Sequence, residues 1–329
     1  MSLTRREFIT LLGGAAAAWP VTARAQQPTV PVVGVLLPGS AAEWIHNLAA
    51  LRQGLGDAGF VEGRNIVLET RFSELQFDRL PKLAAELVEQ HVAVIVAGTR
   101  ASRAAKDATT RIPVVFVGGP DPVRTGLVTQ LNRPGGNVTG IAGFGAGLSA
   151  KRFGLLHDLV PQATVLGYLS SNSGSANDPG FELQEVQIAA RNAGVALRVI
   201  DVGSESAIEA AFARFASEGT PAVLVAANLL FYNNRERTVA AAAQHGVPAI
   251  YEFREYVSAG GLMSFSTNTI ESYRQAAGYV ARILKGDKPG ELPVMLPTRF
   301  EFVINLKVAK TLGLTIPPGL LAIADEVIE

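Results

Sequence analysis

Short aliphatic segments alternate along this chain with longer segments in which apolar residues recur every three or four positions. The aliphatic segments are bounded by turn residues, which is typical of strands buried on both faces. The predicted strands are Val32–Leu37, Ile66–Thr70, Ala93–Ala97, Val114–Val117, Val138–Ala142, Val165–Leu169, Ala196–Asp201, Ala222–Ala226, Ala249–Tyr251 and Leu262–Phe265. The predicted helices between and after them are Glu43–Ala58, Phe77–Gln90, Ala101–Thr109, Ala150–Leu159, Glu182–Ala193, Ser206–Ser217, Arg235–Gln244 and Ile270–Leu284.

The repeated order of strand, helix and strand predicts parallel sheets covered by helices. It runs through two similar halves, which close at Asn137–Phe144 and Gly260–Asn268. A further strand, Arg299–Ile304, follows the last helix, with a third crossing between the halves near Leu292–Thr298. The predicted fold class is α/β, with two doubly wound parallel-sheet lobes joined by a hinge.

The predicted lobes are discontinuous in sequence. The first comprises residues 30–143 and about 268–295, and the second comprises residues 144–267 and about 296–329. A chain of this length exceeds what a single hydrophobic core usually serves, so two domains are expected. An apolar content of 48% with only 7% aromatic residues suits parallel sheets packed against helices.

Residues 1–25 have the three parts of a secretory signal peptide. A twin-arginine segment, Thr4–Ile9, leads into an apolar stretch, Phe8–Trp19, and a small-residue cleavage site follows at Ala23–Ala25. The apolar stretch is shorter than the roughly 20 residues of a membrane span. An amphipathic first helix of the fold is the alternative, but Gly13 and Gly14 would weaken it. The sequence therefore predicts twin-arginine export and a soluble periplasmic protein.

The amino-acid composition further restricts the possible functions of the protein. The chain has no cysteine, which excludes disulfides, thiolate ligands and a lipoprotein anchor, so no direct membrane anchor is expected. The chain has 29 basic and 29 acidic residues. Removal of the signal peptide takes away three basic residues and one acidic residue, which leaves a net charge of −2. That balance argues against nucleic acid as a partner.

Ligands of open parallel sheets bind outside the carboxyl ends of the strands, near helix N-termini. Loops at these positions are rich in hydroxyls, amides, glycines and aromatic rings, and few of their residues are charged. The predicted ligand-binding residues are Ser40, Thr99, Ser102, Gly119, Asp121, Asn172, Asn228, Tyr232 and Tyr251. Such a lining suits a small, neutral or zwitterionic solute with an apolar or aromatic part.

Ordinary strand-to-helix turns use the same residue types, so a purely structural role is the alternative for each loop. It is the favoured interpretation for Asp121, which is placed to cap a helix whose first residue is Pro122. Catalytic patterns are scarce, and the four histidines lie on separate helices or at their ends. No catalytic residue, metal site or cofactor is predicted.

Gly145–Ala150 matches the glycine pattern of a dinucleotide-binding turn between a strand and a helix. Such a site also requires an acidic residue at the end of the next strand. That strand, Val165–Leu169, is followed by Ser170 and Ser171. A flexible crossing between the lobes is therefore the favoured interpretation of this segment.

Several segments, spread over essentially the whole chain, resemble the ABC-transporter substrate-binding proteins of the type I periplasmic-binding fold, in the tryptophan- and aromatic-type subfamily. The matching segments are Thr4–Gln27, Ile112–Phe116 running to Asp121–Val123, Pro134–Gly140, Ala259–Ser264, Arg282–Gly286, Phe302–Lys307 and Ala324–Glu329. The family commonly carries Tyr after the Met-Ser of the Gly-Gly-Leu-Met-Ser segment. This chain has Phe265 there, which removes a hydroxyl near the hinge or pocket.

The resemblance implies a receptor whose lobes close on a small-molecule solute and then dock on an ABC permease in the inner membrane. The ligand contacts that it implies are Ser40, Thr99, Ser102, Asn172, Asn228 and Tyr251. We expect the protein to be a monomer and not an enzyme. A sensory module for a membrane receptor and an exported enzyme on the same scaffold are the alternatives.

Overall fold

A computed structural model of the chain describes residues 30–143, 147–171 and 180–329. The predicted signal peptide and the predicted site residue Asn172 lie outside these residues, as do Gly145 and Ala146 of the glycine pattern. Residues 31–329 group together as one unit.

Within the described residues, helices and strands alternate as the hydrophobic pattern predicts. The strands are β1 (Val32–Leu37), β2 (Val67–Phe72), β3 (Val94–Gly98), β4 (Val114–Val117), β5 (Val138–Ile141), β6 (Val165–Ser170), β7 (Ala196–Asp201), β8 (Val223–Val225), β9 (Ala249–Tyr251), β10 (Met263–Thr267), β11 (Phe300–Asn305) and β12 (Glu326–Ile328). The helices are α1 (Ile45–Asp57), α2 (Leu80–Glu89), α3 (Ala101–Ala108), α4 (Leu148–Leu159), α5 (Phe181–Ala193), α6 (Ile208–Ser217), α7 (Leu229–Asn233), α8 (Arg235–Gln244), α9 (Arg254–Ser258), α10 (Thr269–Leu284), α11 (Leu306–Thr311) and α12 (Pro318–Ile323).

Each predicted strand and helix is present, with ends that differ by a few residues. The elements that sequence analysis missed are short: α7, α9, α11, α12 and β12 have three to six residues each. Such lengths are too short for an apolar period to be recognised. The helix predicted to start beside Asp121 is only a single turn, in which the Thr125 N–H donates to the Asp121 carbonyl oxygen.

The first sheet is parallel throughout and has the strand order β2–β1–β3–β4–β5. Its strands are aliphatic because both faces are covered, and every residue of β3 and β4 is buried. Alternate residues serve opposite faces. Val94 and Val96 pack in a core with α1 and α10, whereas Ile95 and Ala97 pack in a core with α2 and α3. This sheet and its helices are called the first lobe.

The second sheet has the order β12–β11–β10–β9–β8–β6–β7. Strands β6 to β10 are parallel, and β11 then pairs antiparallel with β10 and parallel with β12. Helices α4 and α5 contact each other beside this sheet, as do α6 and α8. The sheet and these helices are called the second lobe.

The chain passes between the lobes more than once. After β5 it enters α4, and after β10 it returns to α10, which packs on α1 of the first lobe. Met295 then bridges to Ile141 at the end of β5 before β11 joins the second sheet. The two sheets therefore form an α/β fold of two doubly wound, mainly parallel lobes, as the sequence predicts. None of the described helices has the length and apolar character that a membrane span needs.

Helices α1 and α10 approach closely at Gly54. A Cβ atom on Gly54 would lie 2.6 Å from the carbonyl oxygen of Arg274 and 2.8 Å from Cβ of Ala277. Gly56, two residues later on the same helix, has no atom within 4 Å of its corresponding Cβ position. The lack of a side chain is thus a packing requirement at Gly54 and not at Gly56.

We therefore expect Gly54→Ala to lower the free energy of unfolding by about 1–3 kcal/mol, because the added methyl group forces the two helices apart. Gly56→Ala should leave it unchanged or raise it by about 0.5–1 kcal/mol, because alanine favours the helix. Urea unfolding of both variants measures the difference. Equal effects of the two substitutions would contradict the packing argument.

Candidate functional site

Each sheet has one point at which its strand order reverses. In the first lobe this point lies between β1 and β3, and in the second lobe it lies between β6 and β8. The loops that follow these strands diverge there, which leaves a crevice at the carboxyl ends of the strands. The two crevices are the places where the fold can accept a ligand.

Side chains from the two crevices meet each other. The Glu43 carboxylate, beyond the carboxyl end of β1, lies 3.2 Å from the Arg235 guanidinium of the second lobe. An open cavity of 290 Å³ lies beside this ion pair, between Leu75 and residues 233–237. The Arg124 guanidinium lies 4.5 Å from the centre of the Phe181 ring in a second contact between the lobes. We call the space between the facing loops the interlobe cleft.

Ser40 is half-buried and orders the rim of the first lobe. Its N–H donates to the Glu43 carboxylate at 2.9 Å, and its hydroxyl lies 3.3 Å from the same oxygen. The Ser40 side chain therefore orients the carboxylate that reaches Arg235. Ser40 lies just beyond the end of β1, as predicted, and these hydrogen bonds are made within the protein.

Thr99 occupies a strained turn after β3. It has φ of 27°, unusual for a β-branched residue, and its N–H donates to the Val117 carbonyl oxygen at 2.7 Å. Gly119 lies beside Thr99 with φ of 93°, a conformation that favours glycine. Backbone strain of this kind is common at ligand-binding loops. Thr99 and Gly119 are thus brought together at the carboxyl ends of β3 and β4.

Other predicted residues of the first lobe are occupied by structural hydrogen bonds. Ser102 is buried, and its hydroxyl donates to the Ala97 carbonyl oxygen at 3.1 Å. The Asp121 carboxylate accepts from the N–H groups of Val123 and Arg124 at 2.8 and 3.2 Å. Asp121 therefore caps a turn, which agrees with the structural alternative for this residue.

Asn228 lies at the point of strand reversal in the second lobe. Its side-chain oxygen accepts from the Leu230 N–H at 2.8 Å and so caps α7. Its amide nitrogen donates to the Ser171 carbonyl oxygen at 2.9 Å, which joins the loops after β6 and β8. Asn228 therefore fixes the shape of the crevice.

Tyr232 belongs to an aromatic cluster on the second lobe. Its half-buried ring meets Phe253 edge-on, with 5.6 Å between centroids, and Tyr256 at 6.2 Å. The Arg235 guanidinium lies 5.4 Å from the centre of the Tyr232 ring. Because Arg235 also contacts Glu43, the aromatic cluster extends to the rim of the cleft.

Tyr251 does not line the cleft, contrary to the prediction. Its side chain is 1% exposed, packs against Gly261 and stacks on Tyr256 with 4.7 Å between ring centroids. Burial raises the pKa of its hydroxyl above the usual range. The last residue of a strand can face the crevice or the core, and sequence alone did not reveal the direction for Tyr251.

Phe265, where the family commonly has Tyr, packs among other aromatic rings. It stacks on Phe300 with 5.8 Å between centroids and meets Phe302 edge-on at 6.3 Å. Its carbonyl oxygen is 3.3 Å from a guanidinium nitrogen of Arg152. The missing hydroxyl is thus replaced by an apolar cluster on strands β10 and β11.

Two charged side chains are buried in helices α4 and α5, beside these loops. Arg152 and Glu182 form a buried ion pair at 2.8 Å, and their side chains are 3% and 7% exposed. Glu182 also accepts from the Ala227 N–H at 2.8 Å, beside the loop after β8. Both residues lie in predicted helices, where the sequence gives no sign that a charged side chain turns inward.

Glu252 and Arg100 add one charge from each lobe. Burial raises the pKa of the Glu252 carboxyl to about 7, although the positive charge of Arg152 opposes the shift. Burial likewise lowers the pKa of the Arg100 guanidinium to about 10, and the charge of Glu252 acts in the opposite direction. Arg100 is adjacent to Thr99, and Glu252 is adjacent to Tyr251. The sequence analysis selected the hydroxyl residues of these loops and passed over their charged neighbours.

The shielded carboxyl of Glu252 predicts a pH-dependent stability. Its pKa is about 7 in the folded protein, whereas an unperturbed glutamate has a pKa of 4.5, so the folded state binds more protons between these pH values. The free energy of unfolding should therefore fall as the pH rises from about 4.5 to about 7. Glu252→Gln should be more stable than the natural protein by about 1–3 kcal/mol at pH 8 and nearly equal to it near pH 4.

Denaturant unfolding at the two pH values tests this expectation. Glu89→Gln, at the exposed end of α2, is the matched control and should show little difference at either pH. A Glu252→Gln variant that is less stable than the natural protein at pH 8 would contradict the assigned burial of the charge.

Two solved structures and a named relative are similar to the chain over most of its length. A tyrosine-binding protein of Clostridioides difficile (strain R20291) is 26% identical over 265 residues, which cover 80% of this chain and 75% of that protein. A conserved domain protein from Vibrio cholerae O1 biovar El Tor is 26% identical, with a TM-score of 0.80. The ABC domain in complex with L-Trp from Streptococcus pneumoniae is 25% identical, with a TM-score of 0.81.

Each of these two structures covers 91% of this chain, which in turn covers 99% of each of them. The family model for the ABC transporter substrate-binding protein matches residues 33–328. The chain therefore belongs to the ABC transporter substrate-binding proteins, a family that binds solutes and does not catalyse reactions on them.

Proposed function

We propose that the protein is the periplasmic receptor of an ABC importer and that it binds an aromatic amino acid in the interlobe cleft. The observation that carries the proposal is the meeting of the two points of strand reversal, where Glu43 of one lobe contacts Arg235 of the other at 3.2 Å. A solute placed there touches both lobes at once. Similarity to an L-Trp complex and to a tyrosine-binding protein supports an aromatic amino acid as that solute.

Aromatic side chains flank the Glu43–Arg235 pair on both lobes. Trp44 is adjacent to Glu43, and its ring lies 5.7 Å from that of Tyr273. Tyr232 lies under Arg235 and packs edge-on against Phe253. Aromatic rings favour such tilted and edge-on neighbours. We propose that the ring of the solute packs between Trp44 and Tyr232, while Thr99, Ser40 and the nearby loops hold its polar end.

In this proposal the two lobes rotate about a hinge and close on the solute. Residues 30–143 with about 268–295 move as one body, and residues 144–267 with about 296–329 move as the other. A solute that contacts both lobes stabilises the closed state by its difference in affinity for the closed and open states. The closed form then delivers the solute to a permease in the inner membrane, after export directed by residues 1–25.

Thermal unfolding in the presence of candidate solutes tests the ligand. L-Tryptophan or L-tyrosine at 100 times its dissociation constant should add about 2.7 kcal/mol to the free energy of unfolding. Tyr232→Leu should remove most of this gain, because the solute loses an aromatic neighbour. Phe60→Leu is the control, because Phe60 follows the C-terminal end of α1, whereas Trp44 precedes its N-terminal end, and Phe60 lies beside Lys285. If neither amino acid changes the unfolding temperature, the proposed ligand is wrong.

The Glu43–Arg235 pair should favour the closed state. Removing it with Glu43→Gln is expected to weaken solute affinity by about two- to fivefold, because the pair is only partly shielded from water. The scattering radius without solute should increase at the same time. Glu62→Gln breaks the exposed ion pair with Arg52, within the first lobe, and should change neither quantity. Equal radii for the natural protein and Glu43→Gln would argue against this role.

A further inference from the structure

We infer that Arg124 and Phe181 form a clasp between the lobes, which closes one side of the interlobe cleft and slows the release of the solute. The Arg124 guanidinium lies 4.5 Å from the centre of the Phe181 ring, which is within the range of a cation–π contact. Arg124 belongs to the first lobe and Phe181 to the second. The role in solute release rests on the proposed function, whereas the role in closure requires no solute.

The clasp and the Glu43–Arg235 pair lie on opposite sides of the cleft. In the first sheet the crevice lies between β1 and β3, and Glu43 follows β1 whereas Arg124 follows β4. In the second sheet the crevice lies between β6 and β8, and Phe181 follows β6 whereas Arg235 follows β8. Each contact therefore joins one flank of the first crevice to one flank of the second. A solute at the two crevices is enclosed between these contacts.

A short turn of the first lobe holds Arg124 in place. One oxygen of the Asp121 carboxylate accepts from the N–H groups of Val123 and Arg124, and the other lies 3.8 Å from Nε of Arg124. The Thr125 hydroxyl donates to the Asp121 carbonyl oxygen at 2.9 Å. Asp121 is therefore placed to orient a cation toward the second lobe.

The second lobe holds Phe181 through the residue that follows it. Glu182 is buried, and its two oxygens accept from Arg152 and from the Ala227 N–H, each at 2.8 Å. These bonds fix the first turn of α5, in which Phe181 is the first residue. Because ordered backbone presents both the cation and the ring, the contact forms with little loss of conformational freedom.

The clasp lies at the outer rim of the cleft, since the Arg124 side chain is 52% exposed. An exposed cation–π contact corresponds to a factor of about two to five in an equilibrium constant. Arg124 and Phe181 belong to different lobes, so separation of the lobes breaks their contact. The clasp therefore stabilises the closed state over the open state.

Small-angle scattering without solute tests the clasp directly. Phe181→Leu removes the ring and Arg124→Met removes the charge, and each should increase the scattering radius because the open state gains population. Phe181→Tyr keeps a ring and should keep the natural radius. Phe60→Leu is the matched control, because the Lys285 ammonium group lies 5.6 Å from the centre of the Phe60 ring within the first lobe. This substitution should leave the radius unchanged.

The release of radiolabelled L-tryptophan after dilution measures the same contact with solute bound. Phe181→Leu and Arg124→Met should each increase the dissociation rate about two- to fivefold. The association rate should stay the same, because the solute is captured before the lobes close. The double variant Arg124→Met/Phe181→Leu should release the solute no faster than either single variant, since one change already breaks the contact. In Glu43→Gln/Phe181→Leu the two effects should multiply, because these side chains belong to different contacts.

The outcomes separate the clasp from the proposed function. If the natural protein binds neither L-tryptophan nor L-tyrosine, the proposed function is wrong, and the radii without solute still decide the clasp. If Phe181→Leu and Arg124→Met both keep the natural radius, the clasp is overturned and the proposed function stands. If they change the radius but not the release of L-tryptophan, the role in release is overturned.

Effects of Arg124→Met and Phe181→Leu that multiply in the double variant would show that the two side chains act separately, which also overturns the clasp. Urea unfolding verifies that each variant is folded. Arg124 is exposed, so Arg124→Met provides the test if Phe181→Leu does not fold.

Discussion

Parallel pairing of aliphatic strands is the constraint on which the rest of this molecule depends. Helices cover the faces of both sheets, strands β1 to β5 are parallel, as are β6 to β10, and the carboxyl ends of these parallel strands lie at one edge of each sheet. The strand order then reverses once in each lobe, which opens one crevice per sheet. Backbone topology therefore sets where this fold can accept a ligand.

Buried charge gives the cleft its chemical character. The Arg152–Glu182 pair connects α4 and α5, and Arg152 also donates to the Phe265 carbonyl oxygen in the middle of β10. Several hydroxyl and amide groups that the sequence assigns to the solute have other partners. Ser102 and Asn228 bind backbone carbonyl oxygens and maintain the loops. These two side chains therefore have a structural role in the loops that border the cleft.

Hydrophobic periodicity was sufficient to predict the fold. Val114–Val117 is aliphatic or aromatic at every position and is buried at every position, so its membership of a sheet that is covered on both faces follows from composition. The direction of a single side chain, in contrast, does not follow from the hydrophobic pattern. Tyr251 ends a strand, yet its ring stacks on Tyr256 in the core, because the strand pleat and the space beside Gly261 decide its direction. Arg152 and Glu182 are separated by 30 positions, and their pairing depends on how two helices meet.

The contact of α1 with α10 at Gly54 joins residues more than 200 positions apart and completes one face of the first lobe. During synthesis, the apolar side of α1 has no covering helix until the ribosome has made the chain through Leu284. The two lobes therefore cannot fold one after the other as independent domains. A nascent chain that stops after β5 presents Leu48, Leu51 and Leu55 to water, and so offers chaperones a surface that the finished protein hides.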